Sequence, residues 1–477
     1  MLKRWISRYH PHYPRSLVYM LQASEYHIED YLHWYHKVKD FRYVEQRKHF
    51  VKTGKSVLLL IIAWVLAIFL YGFSIKHFVL AEIFPVRIIS LAGILLTPYL
   101  LAYLILIPLL IIRIVVQKPI EYFIVKQAKD TIKKHKGIKI GIAGSFGKTT
   151  MREMLKIVLA EGKQVVAPPH SYNTPLGISQ FVKSLKGDEE IIIFELGEYY
   201  PGDVRKLCKL VQPDLGIITG INEAHLQKFT TLAKTAKTIY ELADYLGDKP
   251  VWINGDSELA LKYAKPEHHI YSQKGVDSWK VQDAESNLEG TTFSLTNGKD
   301  KLQLRSQLLG LHQVGPLSAV VAIANYLGLT DKQIEAGIAK TKAFDHRLEP
   351  KIDASGIITL DDSYNGNPNG VAAVIKFLGS LHSHRRFYVT PGLVEMGSRK
   401  DEVHLAIGEQ LAAAKIEHVV LIKNSVTPYI EKGLKQAGYQ GQIIWFDNAL
   451  AAFAALPYLT IKDDIVLLQN DWPDQYQ

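Results

Sequence analysis

Between Gly141 and Met151 the chain reads GIAGSFGKTTM, and these residue types are the ones that hold phosphate. Gly141, Gly144 and Gly147 leave a turn with little side-chain bulk, so backbone N–H groups can approach an anion closely. Lys148 follows to reach terminal phosphates, the Thr149 hydroxyl is available to Mg2+, and Ser145 and Thr150 add polar lining. The common spacing G-x-x-x-x-G-K-[ST] asks for glycine where this chain has Ile142. The stretch is therefore either a loop with its own spacing or a tight strand-to-helix turn whose lysine is only solvated.

Further along, Glu195 ends the apolar run of EIIIFELG. Ligands of open α/β sheets gather beyond the carboxyl ends of strands, where this carboxylate offers oxygen to a metal-bound phosphate; the alternative is an ordinary surface acid. His225, in ITGINEAHLQKF, also follows a strand, although a lone histidine is usually structural or solvated. Leu360–Asn367 reads LDDSYNGN, a strand ending in two carboxylates, Asp361 and Asp362, or an Asx-type turn. Arg347, in FDHRLEP, either closes a planar guanidinium over phosphates or pairs at the surface with Asp345 or Glu349.

These residues need a scaffold, and from about residue 137 short apolar runs alternate with amphipathic stretches, the pattern of a mainly parallel α/β sheet. KIGIAG, KQVVAP, EIIIFELG, LGIITG and PVWING are strand-like, with helix-like TTMREMLKIVLAEG, PGDVRKLCKLV and LAKTAKTIYELADYL between them. Residues 276–308 change to alternation with Asn-Gly and Glu-Gly turns, which reads as a small antiparallel addition. A second α/β series (IITLDDS, RRFYVTPG, HVVLIKN, QIIWFD, DIVLLQN) begins after a boundary near residues 342–347.

The amino-terminal part is different. Ser56–Phe73 is 18 residues without a charge and Ile88–Ile112 is 25 more. An apolar helix of about 20 residues crosses a bilayer core, so both qualify as spans of a membrane hairpin. Too many residues precede the first for a cleavable signal peptide. Residues 1–55 carry eleven Lys/Arg against five Asp/Glu, and Arg113, Lys118, Lys126, Lys133, Lys134 and Lys136 follow the second run. Positive charge inside places both termini and everything after about residue 113 in the cytoplasm. The first 55 residues, rich in Tyr, His and Trp, read as an amphipathic interfacial segment or as a small cytosolic helical hairpin.

The net charge of +9 is partly this juxtamembrane Lys and Arg; no recognition motif supports nucleic acid as a partner. Cys208, the single cysteine, excludes a disulfide framework and a Cys-rich zinc site and reads as a buried apolar residue.

Taken in order, these pieces resemble the Mur ligase family. Its phosphate loop has the G-x-x-G-x-x-G-K-T-T spacing of Gly141 to Thr150; ELGEYYPGDV, INEAHLQKFTTL, LDDSYNGNP, DHRLEP and VEMG are similar to its other segments. The resemblance covers roughly residues 137–477. It implies a P-loop-type central domain, a Rossmann-like carboxyl-terminal domain and ATP-dependent amide bond formation through an acyl phosphate, with an amine such as D-alanyl-D-alanine in peptidoglycan precursor synthesis. By the same resemblance, Lys148, Glu195, His225 and Arg347 act in catalysis. Gly144, Ser145, Gly147, Lys148, Thr149, Thr150, Arg347 and Asp362 bind ATP, Thr149, Glu195 and His225 hold Mg2+, and Asn173 and Thr174, in HSYNTPLG, face the acceptor.

Three positions depart from the family pattern. Fourteen residues after His225, where the family has a carbamylated lysine, stands Ile239, with Lys237 on a nearly opposite helix face. The family's adenine segment H-N-x-x-N reads here His312-Gln313-Val314-Gly315-Pro316. The membrane hairpin takes the place of the family's uridine-binding domain, which makes a lipid-linked precursor an alternative to a small soluble one. The expected layout is a basic, aromatic segment over 1–55, a hairpin over 56–116, a central domain over 117–342 and a final domain over 343–477. Two spans with a P-loop also describe regulatory membrane kinases and ATPases, and Ile239 and Gln313 leave open a nucleotide-binding pseudoenzyme that scaffolds wall synthesis.

Overall fold

The computed structural model describes residues 2–45, 49–169, 172–222, 231–298, 300–364, 366–394 and 396–471. It separates into two compact units, one ending at Phe123 and the other beginning at Ile124.

In the first unit the first apolar run lies inside a longer helix, Gly54–Leu80, and the second run begins in the helix Phe84–Leu104. The first begins at a capping box in which the Ser56 N–H donates to Thr53 Oγ1 (3.1 Å) and the Thr53 N–H to Ser56 Oγ (2.8 Å). The second does not stop at Ile112: after a turn and a π-helical stretch at Ile112–Gln117 it continues as the basic amphipathic helix Lys118–Lys134. Only 17% and 22% of the apolar windows of these helices are buried.

Residues before them form short helices, Tyr13–Ala23 and Ile28–Lys37 among them. Their core is aromatic: Tyr13, Tyr19, Tyr31, Trp34, Tyr35 and Phe41 pack with Leu59, Ala63, Leu101 and Ile105 of the apolar helices. Buried phenols need acceptors, and two find them on the second apolar helix, Tyr31 on the Ala102 carbonyl (2.9 Å) and Tyr13 on the Pro98 carbonyl (3.0 Å).

The second unit holds two sheets. Strands β1 (Ile138–Ala143), β2 (Val165–Val166), β3 (Ile191–Glu195), β4 (Leu215–Ile218), β5 (Val251–Asn254) and β6 (His269–Ser272) run parallel in the order β2-β3-β1-β4-β5-β6. Apolar clusters cover both faces, with Met151, Leu155 and Val158 on one side and Leu207, Ile239 and Leu242 on the other. This is why β3 and β4 read as unbroken apolar runs.

The alternating stretch after residue 275 forms β7 (Gly275–Val276), β8 (Trp279–Asn287), β9 (Gly290–Asn297) and β10 (Asp300–Ser306). They are antiparallel and extend the same sheet to ten strands instead of standing apart from it. The other sheet has the order β11-β12-β16-β13-β14-β15, from β11 (Glu349–Ile352), β12 (Ile358–Asp362), β13 (Arg386–Thr390), β14 (His418–Ile422), β15 (Gln442–Phe446) and β16 (Ile465–Gln469). All its pairings are parallel except the edge pair of β11 with β12.

Within the second unit a buried polar pair joins His135 to Glu189, just ahead of β3. His135 Nε2 lies 2.9 Å from Glu189 Oε2, and the Gly137 N–H donates to His135 Nδ1 (3.0 Å). Burial alone would raise the Glu189 carboxyl, but the N–H groups of Lys186 and Gly187 and the His135 ring hold it at about 2. A depressed carboxyl stabilises the fold fully above its unfolded value near 4.5 and stops doing so as pH falls toward 2. Urea unfolding of the Glu189→Gln variant should therefore show less stability than wild type at pH 7 and a smaller difference at pH 3.

Candidate functional site

Parallel pairing sets Ile142 opposite Glu195 and Ala143 opposite Ile218, so the carboxyl ends of β1, β3 and β4 finish side by side. The chain leaves β1 at Gly144, whose φ of 148° suits glycine, and a Cβ there would lie 2.2 Å from Thr219 Oγ1. Gly147, at φ 75°, caps the helix Lys148–Leu159. Between them the Ser145 N–H donates to the Gly220 carbonyl (2.8 Å), while the Thr219 N–H donates to the Ala143 carbonyl (2.9 Å). The result is a close-packed turn that delivers free N–H groups at a helix N-terminus. The missing glycine at Ile142 costs nothing, because that position is still inside β1 and fully buried.

The loop's polar groups fit a phosphate chain. Ser145 Oγ is buried and has no partner among the described residues. Lys148 Nζ donates to the Gly144 carbonyl and contacts both carboxylate oxygens of Glu198, at 2.9 and 2.8 Å. Thr149 Oγ1 donates to Glu195 Oε2 (3.1 Å), and the other oxygen of Glu195 is 2.7 Å from the Arg152 guanidinium. Glu195 and Arg152 are both buried. Burial pushes the Glu195 carboxyl up, and the charges of Arg152 and Lys148 pull it back. Thr150 sits half-buried in the same helical turn.

From the second sheet come Arg347 and Asp362. Arg347 makes no surface ion pair with Asp345 or Glu349; its guanidinium lies 4.8 Å from the Tyr364 ring centroid. Burial lowers its pKa, against the pull of Asp362, Tyr364 and Glu195. Asp362 accepts from the Leu348 N–H (3.1 Å) and from Gln469, and burial raises its carboxyl in spite of them. Neighbouring Asp361 instead takes Lys351, His346 and Ser363. An amide contact joins the two sheets' loops: Asn222 Nδ2 donates to Asn367 Oδ1 (2.7 Å) and to Asn369 Oδ1 (3.2 Å).

Thr174 caps the helix Pro175–Val182, accepting from the Gly177 N–H (3.2 Å). The Asn173 carbonyl accepts from the Gly197 N–H (3.0 Å), which sets Asn173 against the turn that follows Glu195. His225 lies outside the described residues. Ile239 is fully buried in the apolar cluster behind the sheet, and Lys237 is exposed on the other face of its helix. His312 is held down to about 4 by burial, and Gln313 Nε2 lies 3.0 Å from its Nε2.

Sequence reasoning missed Glu198, Arg152 and Asn222. Arg152 had a signal, since it stands three residues after Thr149 and so shares its helix face. Glu198 and Asn222 depend on how loops from different strands meet, which no local pattern carries.

Residues 142–324 match the Mur ligase middle domain and residues 346–469 the Mur ligase glutamate ligase domain. The UDP-N-acetylmuramoyl-tripeptide–D-alanyl-D-alanine ligase of Bacillus subtilis is 27% identical over 340 residues, 69% of this chain and 72% of the relative. That of Escherichia coli is 26% identical over 293 residues, 59% of this chain and 64% of the relative. Among solved structures, MurF from Acinetobacter baumannii has a TM-score of 0.65 at 21% identity, covering 75% of this chain and 78% of its own. MurF ligase from Thermotoga maritima in complex with ADP has a TM-score of 0.65 at 22% identity, covering 74% and 80%. These likenesses are of fold.

An Ile239→Lys substitution places an unpaired ammonium in the apolar cluster. It should destabilise the chain by about 3 kcal/mol or more, read as a lowered urea midpoint, where a side chain facing the site would tolerate it.

Proposed function

Because the chain carries both the middle and the glutamate ligase domains of the Mur ligases and so belongs to that family, we propose that it is an ATP-dependent amide ligase of peptidoglycan precursor synthesis. It activates a substrate carboxylate as an acyl phosphate and joins it to an amine such as D-alanyl-D-alanine. The observation that carries this reading is the convergence of Lys148, Thr149 and Glu195 at one end of the sheet, where Asn222 also meets Asn367 and Asn369 of the last domain.

In the first step the γ-phosphoryl group passes to the carboxylate oxygen and ADP leaves. The amine nitrogen then attacks the acyl carbon, loses a proton and expels phosphate. Negative charge spreads over the phosphoryl oxygens throughout, so positioned cations do most of the work. Lys148 and Arg347 are those cations, and the N–H groups of the Gly144–Gly147 turn orient the phosphates. Thr149 and Glu195 are hard oxygen donors 3.1 Å apart, a fit for Mg2+, which when bound neutralises phosphate charge; His225 is their third partner in this reading. Asp362 serves the nucleotide from the last domain, and Asn173 and Thr174 face the acceptor.

The same reading places the chain in a membrane. Core helices of a soluble protein are mostly covered, whereas Ile61, Val65, Ile68, Phe69 and Ile89 are exposed here. The Lys and Arg flanking both helices put the ligase domains on the cytoplasmic side. A lipid-linked acceptor, or one delivered at the membrane surface, suits this anchoring.

Full-length protein given ATP, Mg2+, D-alanyl-D-alanine and tripeptide precursors in soluble and lipid-linked form should release ADP and phosphate in step with amide product. Lys148→Ala should lower that turnover by at least about a hundredfold; ATP turnover indifferent to every acceptor would refute the ligase. Membranes washed at high pH should retain the chain, and its release into the supernatant would refute the anchoring.

A further inference from the structure

The proposed reaction gives no work to Glu198, yet its side chain is 2% exposed and both its oxygens meet the ammonium of Lys148. A carboxylate beside a phosphate loop is an unfavourable neighbour for a nucleotide, since it repels the phosphates that Lys148 attracts. Lys148 is itself only 12% exposed, and its other described bond is to the Gly144 carbonyl within the loop. The ammonium is thus satisfied inside the protein, by one anion and one dipole.

The backbone at this point is pinned. A Cβ on Gly197 would lie 2.6 Å from the Asn173 carbonyl, and the Gly197 N–H already donates to that carbonyl. Any change of partner at Lys148 therefore falls to the two flexible side chains, Glu198 and Lys148, and not to the loop that carries them.

We infer that Glu198 and the nucleotide's phosphates are alternative partners of Lys148, which makes Glu198 a positioning residue that parks the ammonium and sets nucleotide affinity. The inference rests on the ATP-dependent reading of the loop. Binding a nucleotide must break the Lys148–Glu198 pair, so part of the attraction between phosphate and lysine is spent on that exchange. Removing the charge of Glu198 leaves Lys148 with no anionic partner until phosphate arrives, and affinity rises. A residue that merely held the fold would give the opposite result when replaced.

The test is calorimetric titration of the full-length chain in detergent with ADP and with a non-hydrolysable ATP analogue, each with Mg2+ and with chelator. Glu198→Gln should bind nucleotide about tenfold more tightly than wild type in chelator, while its melting temperature without nucleotide falls because Lys148 loses its anionic partner. Equal or weaker binding by Glu198→Gln overturns the inference. Should that variant fail to fold, Glu198→Asp keeps the charge but shortens the reach; it should bind more tightly than wild type by a smaller factor, and unchanged or weaker binding again overturns the inference. Wild type that binds no nucleotide at all overturns the ligase reading instead.

Discussion

Burying a carboxylate as completely as Glu195 is buried costs several kcal/mol unless other groups replace its water. The middle domain is arranged to meet that cost. Arg152 supplies the opposite charge and Thr149 a hydroxyl, both from the first turns of the helix Lys148–Leu159. That helix can reach Glu195 only because parallel pairing brings the ends of β1 and β3 level, and because the glycine turn between β1 and the helix is tight enough to keep the two in register. One buried acid thus ties strand order, loop composition and helix placement together, and the same acid stands where phosphate chemistry needs oxygen.

Where the signal was local, the sequence could be read directly. The apolar runs ending in Glu195 and Ile218 read as strands because short apolar runs between turn signals suit a strand covered on both faces. The loop at Gly144–Thr150 was readable for the same reason, its glycines and lysine being adjacent in the chain. Strand β6 and the edge strand β11 carry weaker patterns and were not anticipated. The partners of Lys148 and Glu195 were beyond reach, since Glu198 and Arg152 act through side-chain directions that appear only once the sheet is assembled.

The junction between the two sheets' loops is made differently from the site it borders. Asn222, Asn367 and Asn369 meet as neutral amides, and Asn367 also caps the helix Pro368–Ser380 through the Gly370 N–H (3.0 Å). Neutral contacts neither attract nor repel phosphate, so the charged groups Arg347, Lys148 and Glu195 are left to respond to a nucleotide while the amides hold the register. Ile239 shows the other side of this economy: a helix that borders the site presents an apolar face to the sheet, and its lysine, Lys237, faces solvent.

The tyrosine hydroxyls that end on the carbonyls of Pro98 and Ala102 impose an order on biosynthesis. A ribosome makes these tyrosines first, and their acceptors follow 85 and 71 residues later, roughly 4–17 seconds at ordinary elongation rates. Through that interval the newborn amino terminus has an incomplete core. Its assembly is timed by the emergence of the second apolar helix, so the segment finishes folding only when the hairpin that it clasps has been made.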